Sequence, residues 1–302
     1  MTFSSLRRKF SFASIMLHRE IRRIVTGRKY YVAIDITDKC NLQCEHCYAK
    51  YSYIGKEDAQ WEPLSIWEER FQQFKQDGVI GVGLVGGEPT LRLDVVMLAQ
   101  RYFPNIGIIT NGVIRIPPEF NHYIFLSVDG LEATNDRLRG QGTFRLAMEN
   151  YRGDKRVIIN ITIMKENYLE LEELIKTAQG YGFHGLVCNI YIPAEGSDAS
   201  KIISPEDRKI ILVELRRVKR LYPRFFLMND QMLDWYEKAD HSDYCRWGSQ
   251  AEHYDAYMNR RRCFAKLDCH NCGCFAGAFL SILNLKNLLF HPSETLRILR
   301  LL

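Results

Sequence analysis

This sequence predicts an α/β protein built on a parallel sheet, and three observations carry the expectation. Six apolar runs, at 31–36, 79–85, 106–109, 123–128, 156–164 and 186–192, have the composition and length of strands. Helical patterns separate most of them, so successive strands connect by crossovers and lie parallel. Four successive runs lead into polar or glycine-containing segments. The carboxyl ends of parallel strands carry the chemistry in α/β barrels, so these segments converge on one rim.

Each element has its own signal. In residues 1–29, eight cations (Arg7, Arg8, Lys9, Arg19, Arg22, Arg23, Arg28 and Lys29) face the single Glu20, giving +7 against a net +5 for the chain. Leu6, Phe10, Ala13, Leu17, Ile21 and Ile24 recur there at helical spacing, so a basic amphipathic helix is expected. Such a helix suits an anionic membrane surface, or packs on the domain with a solvated basic face. Nucleic acid is not expected as a partner, because the remainder of the chain is not basic. The first run leads into the cysteine segment 40–47. Ser65 with Glu68 reads as a capping box ahead of Trp67, Phe71 and Phe74. The second run ends in Gly86-Gly87-Glu88-Pro89, the third in Thr110-Asn111-Gly112, and the fourth in Ser127-Val128-Asp129-Gly130. Asn167 with Glu170 opens a helix whose stripe is Leu171, Leu174, Ile175 and Ala178; Ser204, Pro205 and Asp207 open another.

Composition sets the outer bounds. A chain of 302 residues accommodates one large α/β domain and a small appendage. Its apolar fraction of 46% and charged fraction of 25% are ordinary for a soluble globular protein, so a packed core is expected. Nine cysteines argue for metal binding more than for disulfides in a chain without a signal peptide. The longest apolar run, 275–285, is too short to span a bilayer. A cytoplasmic protein is expected, with peripheral attachment to the inner membrane surface if the basic helix is interfacial.

The chemistry concentrates at Cys40, Cys44 and Cys47. Three thiolates at spacings of four and three residues can wrap one face of a cubane [4Fe–4S] cluster and leave the fourth iron without a protein ligand. A zinc knuckle with His46 as fourth ligand is the alternative. With aromatic Tyr48 following, the motif resembles the signature of the radical S-adenosylmethionine (SAM) superfamily. That resemblance implies that the open iron chelates SAM, and that one electron cleaves the C5′–S bond to give a 5′-deoxyadenosyl radical. It also implies the fold: a partial (β/α)6 TIM-type barrel, here over 30–220, followed by a small cysteine-rich C-terminal extension over 221–302. Gly86-Gly87-Glu88 resembles the segment that binds the SAM amino group. The stretch 127–144 resembles one in which a serine contacts the SAM ribose or carboxylate and an arginine pairs with the carboxylate. Ser127 and Asp129 are the candidates on the strand, and Arg139 is the candidate arginine, with Arg137 as the alternative. Asn111 joins them at the rim. Asn160 with Thr162, and Asn189 with Tyr191, fall on one face of their strands and are candidates for contacts to adenosine or substrate, or else structural polar groups. Cys188 reads as a small buried hydrophobe.

Five cysteines follow: Cys245, Cys263, Cys269, Cys272 and Cys274. Four of them suffice for a second, auxiliary [4Fe–4S] cluster, with structural zinc as the alternative and His270 as a substitute ligand. The arrangement resembles a shortened, twitch-like SPASM domain, and departs from the full pattern of seven cysteines. Tyr244-Cys245-Arg246-Trp247-Gly248 is loosely similar to the end of adenosylhopene synthase-like radical SAM proteins, although only five residues separate Cys263 from Cys269 where that family has a longer insertion. Modification of an unactivated carbon in a lipid or isoprenoid is therefore the first functional expectation, motivated also by the basic helix and the apolar tail. A peptide- or protein-modifying maturase is the alternative, against which residues 1–29 are short for a leader-binding domain. A non-catalytic iron–sulfur protein is the third reading. Expected partners are SAM, the lipid or peptide substrate and an electron donor such as flavodoxin or ferredoxin.

Overall fold

The computed structural model describes residues 27, 29–52, 61–193, 199–238, 240–243, 245–261, 263, 269–270 and 272–282. The basic helix expected over 1–29 and the tail beyond Ile282 lie outside the described residues. Among those described, no helix is long and apolar enough to cross a membrane.

All six expected strands are present: β1 (Tyr31–Asp35), β2 (Gly81–Val85), β3 (Asn105–Thr110), β4 (Ile124–Ser127), β5 (Val157–Ile163) and β6 (Gly185–Ile190). They form one open sheet in the order β6-β5-β4-β3-β2-β1-β7-β8, parallel from β6 through β7. The sheet runs on past the six units. Strand β7 (Ala251–Tyr254) adds beside β1, and β8 (Arg260–Arg261) turns back antiparallel.

The connecting helices are α1 (Tyr48–Ser52), α2 (Leu64–Gln76), α3 (Leu93–Ala99), α4 (Glu132–Arg139), α5 (Thr143–Asn150), α6 (Leu171–Gly180), α7 (Pro205–Leu221), α8 (Asp230–Glu237), α9 (Trp247–Gln250) and α10 (Phe275–Ile282). The stripe Leu171, Leu174, Ile175 and Ala178 is fully buried, and Ser204 caps α7 by accepting from the Asp207 amide. Two expected caps differ. Helix α2 starts at Leu64 behind Pro63, whose fixed φ presets the first turn, so Ser65 already lies inside the helix. Glu68 instead accepts from the Tyr102 hydroxyl at 2.7 Å. Asn167 precedes a short 3₁₀ turn and spends its side chain on Met164 N, Asp129 O and Thr162 O, which pins the ends of β4 and β5 together.

The edge of β6 is covered by chain that returns from the C-terminal region. Leu186 exchanges main-chain bonds with Phe225 and Leu227, and Ile190 N donates to Gly273 O at 2.9 Å. The Phe275 amide then donates to Asn189 Oδ1 at 2.8 Å, so α10 starts directly against the sheet. Gly273 permits this approach, because a Cβ there would lie within contact distance of the Ile190 main chain. Gly273→Ala should therefore cost about 1–3 kcal/mol, seen as a lower urea midpoint. An unchanged midpoint would show that this segment does not dock on β6.

Candidate active site

The three cysteines of the first motif line one cavity of about 320 Å³ on the inner face of the sheet. Their loop is a backbone construction. Glu45 N donates to Leu138 O at 2.9 Å, Cys47 N to Cys44 O at 3.3 Å and Leu42 N to Cys40 Sγ at 3.4 Å. The end of β2 presses on the base of this loop: Gly87 N donates to Thr37 O and Glu88 N to Lys39 O, each at 2.8 Å. Gly86 has φ +127°, and a Cβ on Gly87 would collide with the Lys39 carbonyl. The two glycines thus bring main chain against main chain beneath the cysteine loop, and both also line the cavity.

Glu88 lines the cavity but is already engaged by the protein. Its Oε1 accepts from Thr90 N (3.0 Å), Thr90 Oγ1 (2.7 Å) and Thr110 Oγ1 (2.8 Å), and its Oε2 from Asn111 N (2.8 Å). Burial raises its pKa, and those four bonds pull against the rise. Glu88 therefore ties the end of β2 to the end of β3. Asn111 continues the brace by donating from Nδ2 to Asn41 Oδ1 in the cysteine loop at 2.7 Å.

Ser127 lines the cavity from the end of β4, whereas Asp129 lies beneath it with no exposed surface. Strand β4 ends at Ser127, so strand alternation no longer sets the direction of Asp129. Its Oδ2 faces Arg139 Nε at 2.6 Å and His46 Nε2 at 2.9 Å, and its Oδ1 accepts from Thr162 N at 2.7 Å. Burial alone would raise the Asp129 pKa, but Arg139 and then His46 outweigh it and hold the carboxyl well below the usual range. Arg139 is turned to the cavity, with Nη1 4.0 Å from Cys44 Sγ. Arg137 is half exposed and pairs with Glu166 at 2.8 Å, away from the cavity lining. His46 faces Asp129 through Nε2, a contact that the zinc-knuckle alternative does not use. Asp136 accepts from Gly142 N and Phe144 N and sets the start of α5.

On β5 and β6, Asn160, Thr162, Asn189 and Tyr191 all line the cavity, and Asn189 donates to Asn160 at 2.9 Å. Asn189 also holds α10, so of this group it is a structural polar residue at the cavity wall. Below the rim the walls turn apolar: Tyr31, Gly83, Gly107, Phe125, Trp247, Phe275, Phe279 and Leu280 face the same space. The sequence reading did not single these out. The signal available was the glycine alternation on β2, Gly81 and Gly83, which leaves room for the ring of Tyr31.

The C-terminal cysteines approach one another. Cys245, Cys263 and Cys269 all bear electrostatically on Cys272, whose thiol is pushed up to about 12 chiefly by burial. Burial also raises Cys274 well above the usual thiol value, and Cys274 lines the main cavity together with the first motif. Arg208 fixes this segment by donating to Cys272 O at 2.6 Å. Among the described residues no three His, Cys, Asp or Glu side chains stand in the geometry of a single-ion site. His270 is largely exposed beside Asp240, whereas His241 is buried and stacked on Trp235 at 3.7 Å. A further buried pair was not foreseen. His253 on β7 sets Nε2 3.1 Å from Asp35 at the end of β1, and Nδ1 3.1 Å from Cys263 O, so the two cysteine regions share one strand junction. Cys188 is fully buried, as expected of a small hydrophobe, and burial raises its pKa.

These donor sets fit iron–sulfur chemistry. Burial pushes Cys40 up to about 11 and raises Cys44, with Arg139 pulling Cys44 back down. Thiols so placed ionise in exchange for a strong cation, and metal coordination provides one. Cys40, Cys44 and Cys47 would hold the first cluster, and four of the five C-terminal cysteines the second.

Comparison with known proteins agrees with this chemistry. Residues 34–178 match the Radical SAM superfamily. The pre-heme d1 synthase of Dinoroseobacter shibae is 32% identical over 186 residues, covering 55% of this chain and 45% of that protein. The mycofactocin maturase MftC of Mycolicibacterium smegmatis is 29% identical over 188 residues, covering 57% and 47%. The chain thus spans about half the length of these curated relatives. In fold, it resembles Streptococcus suis SuiB bound to its precursor peptide SuiA, with TM-score 0.62, 16% identity and coverage of 92% of this chain and 69% of that one.

The buried Asp129 gives this site a pH signature. Because its pKa is depressed, the stability it contributes is complete above the unfolded value of about 4 and is lost as pH falls through the lower folded value. Asp129→Asn should be destabilised by about 3–5 kcal/mol at neutral pH, and its urea midpoint should change less than that of the parent between about pH 4 and 2. Parallel midpoint–pH curves for the two proteins would remove Asp129 from this role.

Proposed function

From the premise that this chain is an enzyme of the radical SAM superfamily, with its domain over residues 34–178, we propose that it modifies a side chain of a peptide or protein substrate. When bound, the cluster and SAM supply a 5′-deoxyadenosyl radical, formed with one electron from a donor of the flavodoxin or ferredoxin class. The residues of this chain hold and shield that chemistry. Cys40, Cys44 and Cys47 line one cavity and would hold the cluster as thiolates. Arg139, fixed through Nε to Asp129 and with Nη1 4.0 Å from Cys44 Sγ, turns its guanidinium to the cavity, where its fork suits a carboxylate. The strand-end main chain at Gly86 and Gly87, with Glu88 behind it, receives the amino group. Ser127, Asn111, Asn160 and Tyr191 line the path of the nucleoside. The apolar walls exclude water, which would otherwise consume a reactive carbon-centred species.

The observation that carries the peptide reading is the likeness to maturases in sequence. The match to MftC covers 57% of this chain, and that to the sporulation killing factor maturation protein SkfB of Bacillus subtilis 71%. The isoprenoid reading drew on the basic helix, almost wholly outside the described residues, and on the apolar tail, whose described part is α10, packed against the sheet; the relatives give that reading less support. Four of the auxiliary cysteines Cys245, Cys263, Cys269, Cys272 and Cys274 bind a second cluster in this reading.

Anaerobic reconstitution with SAM and dithionite should yield 5′-deoxyadenosine, and Cys44→Ala should abolish it while the protein stays folded by circular dichroism. Incubation with peptide and lipid extracts in parallel, read by mass spectrometry, should give mass-shifted peptides. Modified lipids alone would replace the peptide reading, and 5′-deoxyadenosine at the parental rate from Cys44→Ala would end the assignment of the site.

A further inference from the structure

The cavity continues below the SAM rim into a chamber whose walls specify their occupant. We infer that this lower chamber receives an uncharged apolar side chain of the peptide substrate, aliphatic or aromatic; the inference rests on the peptide reading above.

Register defines the chamber. Tyr31, Gly81 and Asn105 pair across β1, β2 and β3 in the lowest layer, and Ala33, Gly83 and Gly107 in the next. Inward residues recur every second position, so this second layer offers three adjacent strands with no side chain larger than a methyl group. Large aromatics fill the room so opened and form the floor of the chamber, the Tyr31 ring over Gly81 and Gly83 and the Phe125 ring over Gly107. The Tyr31 hydroxyl would be 2.9 Å from a Cβ on Gly83, and Phe125 3.4 Å from one on Gly107. Trp247 stands edge-on to Tyr31 at 6.2 Å between centroids, Phe275 lies 6.3 Å from Phe125, and Phe279 lies 5.7 Å from Phe275. Helix α10, held to β6 through Gly273 and Asn189, places Phe275, Phe279 and Leu280 as the far wall.

Charge is confined to the rim. Among the described lining residues the Asp, Glu, Lys, Arg and His side chains are Glu88, Arg139 and His46. All three already face protein partners, Glu88 through four hydrogen bonds and the other two through Asp129. A charged side chain entering the lower chamber would lose water and find no counter-ion. A Leu or Phe side chain would gain the full effect of burial, roughly tenfold to a hundredfold in affinity. Aromatic faces also hold a flat or branched apolar group by dispersion.

The test uses the full-length reconstituted protein with SAM bound. The probes are N-acetyl amides of leucine, phenylalanine, lysine and glutamate, together with farnesol, titrated by ligand-observed NMR. The leucine and phenylalanine amides should bind at least tenfold more tightly than the two charged ones. Phe279→Lys should reverse the order of phenylalanine and glutamate amides, and Gly107→Val, which fills the chamber without adding charge, should weaken both apolar amides by at least tenfold. Melting temperature and iron content identify a variant that has failed to fold, and the second variant then decides. Equal or tighter binding of the charged amides overturns the inference, as does binding of farnesol without any amide. A protein that discriminates among the amides but makes no 5′-deoxyadenosine would fail the enzymatic reading and leave the chamber assignment standing.

Discussion

Asp129 sits beyond the end of β4 with no exposed surface and spends its two oxygens on three elements: the Arg139 side chain from α4, His46 from the cysteine loop and the amide of Thr162 on β5. A buried carboxylate is costly unless fully paired, so the three partners are also a condition of its presence. The arrangement fixes the guanidinium that faces Cys44, the loop that carries the three thiols, and the strand that supplies Asn160 and Thr162. Rim geometry therefore depends on one desolvated charge more than on any contact visible at the cavity surface.

Glu88 repeats the design on the other side of the opening. It is a cavity-lining acid with both carboxylate oxygens engaged, by Thr90, Thr110 and Asn111. Its value to a ligand is indirect: it holds strand-end main chain in place and, through Asn111 and Asn41, steadies the cysteine loop. The first cysteine motif is thus supported from below by glycine-enabled backbone contacts and from two sides by buried carboxylates. Such bracing suits a site whose chemistry needs fixed geometry and dryness. The C-terminal region belongs to the same structure. Its β7 pairs with β1, its His253 meets Asp35 at the root of the cysteine loop, and its α10 walls the cavity.

Much of this was legible in the sequence, for physical reasons. Strands β1 to β6 are buried, so they read as continuous apolar runs, and the polar punctuation at their ends marks the rim directly. Strand β7 was missed because Ala-Glu-His-Tyr carries no apolar run; pairing with β1 makes it a strand. Positions were read more reliably than roles. Glu88, Asp129 and Asn189 all stand at the site, yet each takes a donor that lies 22 to 86 residues away in the chain, and no local pattern reveals those partners. The apolar chamber escaped notice for a related reason. It is written in missing side chains at Gly83 and Gly107, which gain meaning only when the register sets them side by side.

The most direct examination of the central claim is electron–nuclear double resonance on the reduced, reconstituted protein with SAM labelled by ¹⁵N in its amino group and ¹⁷O in its carboxylate. A site braced as described should show both nuclei coupled to the cluster held by Cys40, Cys44 and Cys47. A fully loaded cluster with neither coupling would contradict the assignment of this rim as the place where SAM is held.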